Sequence, residues 1–363
     1  MASTALPALA QSKIKFPISI SSKSLGYGPM FAAVKLGFME REGLEGQVVV
    51  VRGADKSLSA LMGGSVYVSA SGTDAHIAAV ERGVDLLLIG GTINGLSQVI
   101  MAPKNYKTLN DLRGATIGAT SATSGLGVAL RRYMKAKGFE LGRDYQILAT
   151  GSAGPTLAAL TAGQVQAAAL GVPLNFVAAD QGYNAVGRIV DVIPSYQFAA
   201  FSVARAAAER NRPLLIRFMR AMIGVHRWFY ENKEAAVEFL AREIDVKPEY
   251  ARRGWEYYIE HKIWPNDASV NMEGLNTSTQ IYWEASQSKG PAPNAAKYVD
   301  QSFIKEAMKD LARDELPRSK LQGMKKSFVM ICPKLSPPNV LIGGPVRIWP
   351  GFPLKTCGND AFR

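Results

Sequence analysis

Cysteine is almost absent from this chain. Its 363 residues include two cysteines, Cys332 and Cys357, so the long part before residue 332 has none. Catalysis by a thiolate and a thiolate-bound metal are therefore excluded from that part. The chain has three histidines, and His76, His226 and His261 do not have the spacing of a metal-binding pair. We therefore predict no metal site and no cofactor.

Sequence motifs of several enzyme and binding classes are also missing. There is no G-x-S-x-G pattern of a hydrolase, and "GATSATSG" lacks the Gly-Lys-Ser/Thr ending of a phosphate-binding loop. The formal net charge is +12, but no run of Lys and Arg with interleaved aromatic residues accompanies it. We interpret this charge as favouring solubility, with no nucleic-acid partner. No apolar run is long enough for a membrane span.

What the sequence does contain is a regular alternation of strand and helix patterns. Lys13–Ile20 predicts a strand, Met30–Glu42 a helix and Val48–Val51 a buried strand. A strand at Tyr67–Ser69 is followed by a helix that begins at about Thr73. This order predicts an α/β fold with a mostly parallel sheet.

The same alternation starts again in the middle of the chain. A second set runs from Ala102 to Ser195 and includes a predicted strand at Ala115–Ala119. Extended segments, "SQVIMAP" and "QFAAFSVAR", flank this set, so we expect two crossings between lobes that act as hinges. After Arg205 the pattern is helical, with apolar residues on one face of a long helix.

Four stretches of the sequence resemble the periplasmic solute-binding proteins of ABC importers. They are "GYGPMFAAVKLGFMEREGL", "GGSVYVSASGTDA", "LNDLRGATIGATSATSG" and "TLAALTAGQVQAAALGVP". The resemblance is to the group of sulfonate, taurine, nitrate and thiamine-precursor binders (NMT1/THI5-like), and it covers Lys13 to Ala312. It implies a two-lobed periplasmic-binding-protein type II fold with a hinge of two crossings.

The predicted domain organisation follows from these patterns and from the resemblance. Residues 1–12 contain Ala8-Leu9-Ala10, similar to an export-signal cleavage site, and are interpreted as a residual export signal. Residues 13–101 plus 199–313 form lobe 1 with the C-terminal helices, and residues 102–198 form lobe 2. Residues 314–363 have no counterpart in the family and are expected to be a disordered tail or a product of out-of-frame translation.

The resemblance also implies a ligand cleft at the carboxyl ends of the strands, where open parallel sheets bind ligands. Loops rich in Gly, Ser and Thr should meet there and offer backbone N–H groups and hydroxyls to an anion. The predicted ligand-binding residues are Gly26, Tyr27, Gly28, Ser71, Gly72, Thr73, Asp74, Ser121, Thr123, Ser124, Gly171, Pro173 and Asn175.

Several of these residues have a structural alternative. Tyr27 either lays its ring on the ligand or packs between the lobes as a core aromatic. Thr73 and Ser124 either bind ligand or cap their helices. Asp74 either caps a helix or faces the cleft, in which case the ligand carries an amine or a donor ring nitrogen. Asn175 either bonds ligand or begins a helix.

The function implied by the resemblance is solute binding without catalysis. The expected ligand is a small organic anion or heterocycle of sulfonate, carboxylate or pyrimidine type. The expected partners are a membrane permease and its ATPase. The protein is expected to be a monomer, periplasmic or exported and tethered to the membrane. Two alternatives stay open: an enzyme similar to the pyrimidine synthases of thiamine synthesis, which share this fold and use a cysteine-rich motif, and a ligand sensor.

Overall fold

The computed structural model describes residues 13–122 and 124–315. These residues form ten strands: β1 (Ile14–Ile20), β2 (Leu44–Val50), β3 (Val68–Gly72), β4 (Leu86–Ile93), β5 (Val99–Ala102), β6 (Ala115–Ala119), β7 (Tyr145–Ala149), β8 (Ala167–Leu170), β9 (Asn184–Arg188) and β10 (Ala199–Ala204). None of the described helices is long and apolar enough to span a membrane.

The helices alternate with the strands and then follow one another after β10. They are α1 (Gly28–Lys35), α2 (Phe38–Arg41), α3 (Ala54–Met62), α4 (Thr73–Glu81), α5 (Gly125–Ala136), α6 (Ala153–Thr161), α7 (Leu174–Asp180), α8 (Arg205–Arg210), α9 (Arg212–Glu231), α10 (Lys233–Ile244), α11 (Pro248–Glu260), α12 (Met272–Ala285) and α13 (Ser302–Glu315).

Two five-stranded sheets carry the fold. The first has the order β2-β1-β3-β10-β4, with β10 antiparallel to its two neighbours. The second has the order β7-β6-β8-β5-β9, with β5 antiparallel to its two neighbours. The chain passes from the first sheet to the second between β4 and β5 and returns between β9 and β10. The predicted α/β class and the two crossings are therefore confirmed. The prediction of a mostly parallel sheet is wrong, because the chain enters β5 and β10 from the other sheet and these strands make two of the four pairings in each sheet antiparallel.

The hydrophobic pattern of the sequence explains which elements are buried in the core. Every residue of β4 is buried, as expected for a strand covered on both faces. On α9, the predicted apolar face is buried throughout: Leu215, Phe218, Met219, Met222, Val225 and Phe229. This face packs into the largest core cluster, which also contains residues of β1 and α1.

Three predicted elements differ from the structure, each because of a feature that local pattern does not reveal. Val48–Val51, predicted as a buried strand, is the end of β2, which lies at the edge of its sheet, so that Val50 is 41% exposed. The helix expected over Met30–Glu42 is broken at Gly37, whose φ of 77° is left-handed and ends α1. The strand expected to end at Ser69 continues to Gly72, because β10 pairs with it (Ala199 opposite Gly72). Ser71 and Gly72, predicted in a loop, therefore lie in a strand.

The ends of the chain lie outside the described residues. The predicted export signal at residues 1–12 and the tail from residue 316 onward are both in these parts. Within the described part, α13 continues to Glu315, and Asp314 accepts a hydrogen bond from Arg220 at 2.5 Å. Asp314 and Glu315 thus belong to a helix, while the other predicted domain limits stay predictions.

Candidate functional site

A cavity of about 500 Å³ lies where connections of the two sheets meet. The first sheet contributes the beginnings of α3 and α4, and the second contributes the beginning of α5, Thr120 and Gly151. One face of α12 and the side chain of Tyr196 complete the lining. Its volume is within the range of small-molecule sites, about 300–1,000 Å³.

A direct hydrogen bond joins the two halves of this cavity. Asp74, in the first turn of α4, accepts a hydrogen bond through Oδ2 from the N–H of Gly125 at 2.7 Å. Gly125 is the first residue of α5, and Ser124 caps this helix by accepting from the N–H of Gly127 at 3.4 Å. A helix N-terminus is a natural anion site, and here a carboxylate of the same chain binds it.

Gly125 is the residue that permits this contact. A Cβ added to it would lie 2.8 Å from Cγ of Asp74 and 2.9 Å from the hydroxyl oxygen of Tyr196. Both neighbours would have to move to admit any other residue. The tight contact therefore depends on glycine for space, and no unusual backbone angle is involved at this position.

The carboxylate of Asp74 is in an unfavourable electrostatic environment. Burial raises the pKa of Asp74 above its ordinary value, although the backbone N–H groups of Gly125 and Ala75 lower it. The negative charge of Asp55, in the first turn of α3, adds to the increase. No basic side chain is among the groups that shift the pKa of Asp74. The acidic end of the cavity thus lacks a positive partner.

The opposite charge in the cavity comes from Arg131 on α5. Arg131 is the one lysine, arginine or histidine in the lining of the cavity, as far as the described residues show. Its Nε is buried and has no hydrogen-bond partner. Arg131 was not predicted as a site residue, because its position in the sequence looks like the polar face of an ordinary amphipathic helix.

The glycine-rich turn around Tyr27 lies in the core of the first half. Tyr27 is 1% exposed, and its hydroxyl lies 2.8 Å from Oγ of Ser21. The carbonyl of Gly26 accepts from the indole N–H of Trp264 at 2.8 Å, and Gly28 packs against Leu240. None of Gly26, Tyr27 and Gly28 lines the cavity in the described structure.

Other predicted hydroxyls are bonded within the protein. Ser71 lies 2.9 Å from Ser69, and Ser69 lies 2.8 Å from Ser57 (all Oγ atoms), so these side chains form a buried row. Thr73 donates from Oγ1 to the carbonyl of Gln197. Gly72 lies against the carboxylate of Asp74. Ser69, Ser71, Gly72 and Thr73 thus form the end of β3 and the beginning of α4, and their contacts are within the protein.

The predicted loop after β8 contacts the first half at a different place. Val172, between Gly171 and Pro173, belongs to the main core cluster, and the Val172–Pro173 peptide bond is cis. Asn175 is buried and its Oδ1 accepts from the N–H of Phe176 at 2.9 Å. Gly171, Pro173 and Asn175 do not line the cavity in the described structure.

The structure therefore brings only some of the predicted site residues together at the cavity. Asp74, Ser121 and Ser124 line the cavity, whereas the others described above pack beside it or at the loop after β8. Thr123 lies outside the described residues. Besides Arg131, the polar lining residues that the sequence did not reveal include Asp55, Tyr196, Ser278 and Tyr282. The last two come from α12, which is distant in sequence and carries no local motif.

The two core histidines lie away from the cavity. His76 lies 2.9 Å through Nδ1 from Oγ of Ser202, and Nδ1 of His226 contacts the carbonyl of Pro265 at 2.5 Å. Burial lowers the pKa of His76 to about 3 and that of His226 to about 4. Among residues 13–122 and 124–315, no group of His, Cys, Asp and Glu has the arrangement of a metal site.

Solved structures define the fold to which this architecture belongs. The chain is similar to the periplasmic aliphatic sulphonate binding protein of Escherichia coli, with a TM-score of 0.64, 19% identity and coverage of 80% of this chain and 93% of that one. It is similar to the alkanesulfonate-binding protein from Xanthomonas axonopodis pv. citri bound to MOPS, with a TM-score of 0.63, 19% identity and coverage of 80% and 99%. The fold is thus that of the periplasmic binding proteins.

An enzyme shares this fold. The desulfurization enzyme DszB, solved in complex with biphenyl-2-sulfinic acid, matches with a TM-score of 0.65 and 14% identity, covering 82% of this chain and 99% of that one. At such identities, the similarity establishes the fold and leaves the activity open.

The family follows from the sequence itself. The model of the NMT1-like family matches residues 22–242, which is more than half of the chain. The chain therefore belongs to the NMT1-like family, and the resemblance found in the sequence is confirmed. No curated protein sequence matches the chain significantly.

Proposed function

We propose that this protein is the solute-binding component of an ABC importer. It would capture a small organic molecule noncovalently in the cavity between α4, α5 and α12 and deliver it to a membrane permease and its ATPase. The observation that carries the proposal is the cavity of about 500 Å³, which residues of both halves line and which the Asp74–Gly125 hydrogen bond crosses.

The lining of the cavity suits reversible binding. The lining combines the hydroxyl-bearing residues Ser121, Ser124, Tyr196 and Ser278 with the apolar Ile281. A ligand that contacts both halves favours the closed arrangement over the open one by the difference in its affinity for the two. Binding proteins of this fold can therefore report ligand to a partner through closure alone.

The class of ligand is a small organic molecule of sulfonate, carboxylate or pyrimidine type. Two proteins similar in fold carry sulfonate binding in their names, which supports the sulfonate class. The cation in the lining, Arg131, supports an acidic group on the ligand. Taurine is a candidate within the sulfonate class.

Enzymatic turnover is the alternative that the DszB structures raise. Cysteine and histidine are both missing from the described lining of the cavity, and the chain has no cysteine before residue 332. A synthase that uses a cysteine-rich motif therefore has no matching residues in this part of the chain. This composition supports binding over catalysis, and a ligand sensor would have the same cavity.

The proposed location is the periplasm, or the outer face of a membrane to which the protein is tethered. The names of the similar sulfonate-binding proteins and the Ala8-Leu9-Ala10 stretch support export. We propose that the protein acts as a monomer toward its permease.

A ligand screen by thermal shift, followed by calorimetry and product analysis, tests this function. We expect at least one sulfonate, carboxylate or pyrimidine to raise the melting temperature and to be recovered unchanged after prolonged incubation. A new compound released from the best ligand would show that the protein is an enzyme. A screen in which no compound of these three classes binds would contradict the proposal.

A further inference from the structure

The charges that line the cavity are of both signs and are arranged at two ends. Asp55 and Asp74 provide negative charge where α3 and α4 begin, and Arg131 provides positive charge on α5. Gly125, which holds Asp74, precedes Arg131 by six residues, so these two positions lie about 9 Å apart along the helix axis. The cavity therefore has an acidic end and a basic end.

Each end needs a partner of opposite charge. At the basic end, Nε of Arg131 is buried and has no hydrogen-bond partner, and Arg131 forms no ion pair within the described residues. A buried guanidinium N–H without an acceptor costs free energy that an anionic group would recover. At the acidic end, two carboxylates repel each other, and no basic side chain of the described structure offsets the charge of Asp74.

The side chain of Arg131 is placed for contact with a bound molecule. Ser124, Val128 and Arg131 follow one another at spacings of four and three residues, and all three line the cavity. They therefore form one face of α5, and this face is turned toward the cavity. The next residue, Arg132, lies on another face and donates to Glu284 at 2.8 Å.

We propose that the cavity selects a zwitterionic small molecule, with its acidic group on Arg131 and its ammonium or protonated ring nitrogen beside Asp55 and Asp74. This inference rests on the proposed function and names the ligand class within it. An anion without a positive group gains the contact with Arg131 but meets the two carboxylates. A cation without an acidic group leaves Arg131 unpaired. Only a molecule with both groups provides a partner of opposite charge at each end of the cavity.

The test uses matched compounds that differ in charge and keep the same skeleton. One set is 2-aminoethanesulfonate, ethanesulfonate and ethylamine. The other is 4-(aminomethyl)benzenesulfonate, 4-methylbenzenesulfonate and 4-methylbenzylamine, which separates the charges further. Calorimetry with the full chain gives each dissociation constant. We expect the zwitterion of at least one set to bind tenfold or more tightly than both of its partners, a difference of about 1.4 kcal/mol.

Two variants and a matched control assign the effect to residues. Arg131→Gln is expected to weaken binding of the zwitterion and of the sulfonate at least tenfold. Asp74→Asn is expected to reduce the advantage of the zwitterion over the sulfonate. Arg132→Gln removes the neighbouring guanidinium, which does not line the cavity, and is expected to leave these affinities unchanged. Circular dichroism confirms that each variant is folded before its affinity is compared.

The outcomes separate this inference from the proposed function. If a plain sulfonate binds as tightly as its zwitterionic partner, or if Arg131→Gln and Arg132→Gln behave alike, the zwitterion inference is wrong while solute binding survives. If none of the six compounds binds, the zwitterion inference is wrong, and the wider screen with carboxylates and pyrimidines then decides on solute binding.

Discussion

The two halves of this protein meet at two contacts of different character. At the loop after β8, Val172 is part of the main apolar core, and a Cβ on Gly254 would lie 2.7 Å from Leu25 and 3.1 Å from Val172. At the cavity, α5 donates two hydrogen bonds to the other half, from Gly125 to Asp74 and from Arg132 to Glu284 on α12. The first contact is dry and close-packed, whereas the second is polar and borders about 500 Å³ of open space.

This difference indicates how each contact contributes to function. Apolar packing is not directional and is worth about 1.5–3 kcal/mol for a fully buried aliphatic side chain. A hydrogen bond to a charged group contributes about 1.5–3 kcal/mol but depends on geometry and on the protonation of the carboxyl group. We therefore expect the apolar contact to hold the halves in register, and the polar contact to respond to a molecule in the cavity.

Charged side chains reinforce the apolar contact from outside. Arg253 on α11 donates to Asp180 at the end of α7 at 2.8 Å, and its guanidinium lies 4.4 Å from the ring centroid of Phe176. Phe176 in turn packs edge-on against Tyr257, with the ring centroids 6.4 Å apart. The contact thus combines apolar packing, ring contacts and an ion pair, whereas hydrogen bonds join the halves at the cavity.

Acid is expected to have the largest effect on stability. It acts through His76 and His226, which belong to neither contact between the halves. The pKa of His76 is about 3 and that of His226 about 4 in the folded protein, below the ordinary value of about 6.5. Their contribution is complete above pH 6.5 and is lost as the pH falls toward these values, because the unfolded chain binds the protons first. At pH 5 each histidine should cost about 2 kcal/mol of unfolding free energy.

Urea unfolding at pH 7.5 and pH 5, for the protein and for His226→Gln, measures this effect. The variant should lose less stability than the parent between the two pH values, whatever its stability at pH 7.5. Equal losses would show that the acid sensitivity comes from groups other than His226, such as His76.

The apolar contact is tested by Leu25→Ala. Leu25 is fully buried, so its truncation should lower the unfolding free energy by about 3 kcal/mol. It should also loosen the halves, which small-angle scattering detects as a larger radius of gyration. Leu130→Ala is the matched control, because Leu130 is equally buried but belongs to the core of the second sheet. A similar increase in the radius of gyration for both variants would show that Leu25 has no particular role in holding the two halves together.

The polar contact is tested by Gly125→Ala, which should have the smallest effect on stability. The added Cβ forces Asp74 and Tyr196 away, so the hydrogen bond from Gly125 should be lost at a cost of about 1–3 kcal/mol. Gly154→Ala is the control, since Gly154 has open space at its Cβ position near the start of α6. We expect ligand affinity and radius of gyration to change in Gly125→Ala only. An unchanged radius would mean that the apolar contact alone keeps the halves together.

The sequence allowed the candidate site to be predicted in part. The glycine- and serine-rich turn before α5 was correctly expected at the beginning of a helix, and Ser124 and Asp74 both line the cavity. The sequence could not predict that the carboxylate of Asp74 would bind the N-terminus of α5. Asp74 and Gly125 are 51 positions apart, and their helices follow strands of different sheets. The contribution of α12 to the lining was missed because this helix is remote in sequence, and Arg131 was missed because it looks like part of an ordinary polar helix face.

What the amino-acid sequence alone determined is the α/β class, the two crossings and the family. Hydrophobic periodicity and the alternation of strand and helix patterns are local, and they are sufficient for the class and the crossings. The family rests on the resemblance of four stretches of sequence and on the match of the family model. Only the tertiary structure decided the extension of β3 by pairing with β10, the burial of Tyr27, and the cavity with Asp74 at one end and Arg131 at the other. These features depend on distances between residues remote in sequence, which packing and not propensity determines.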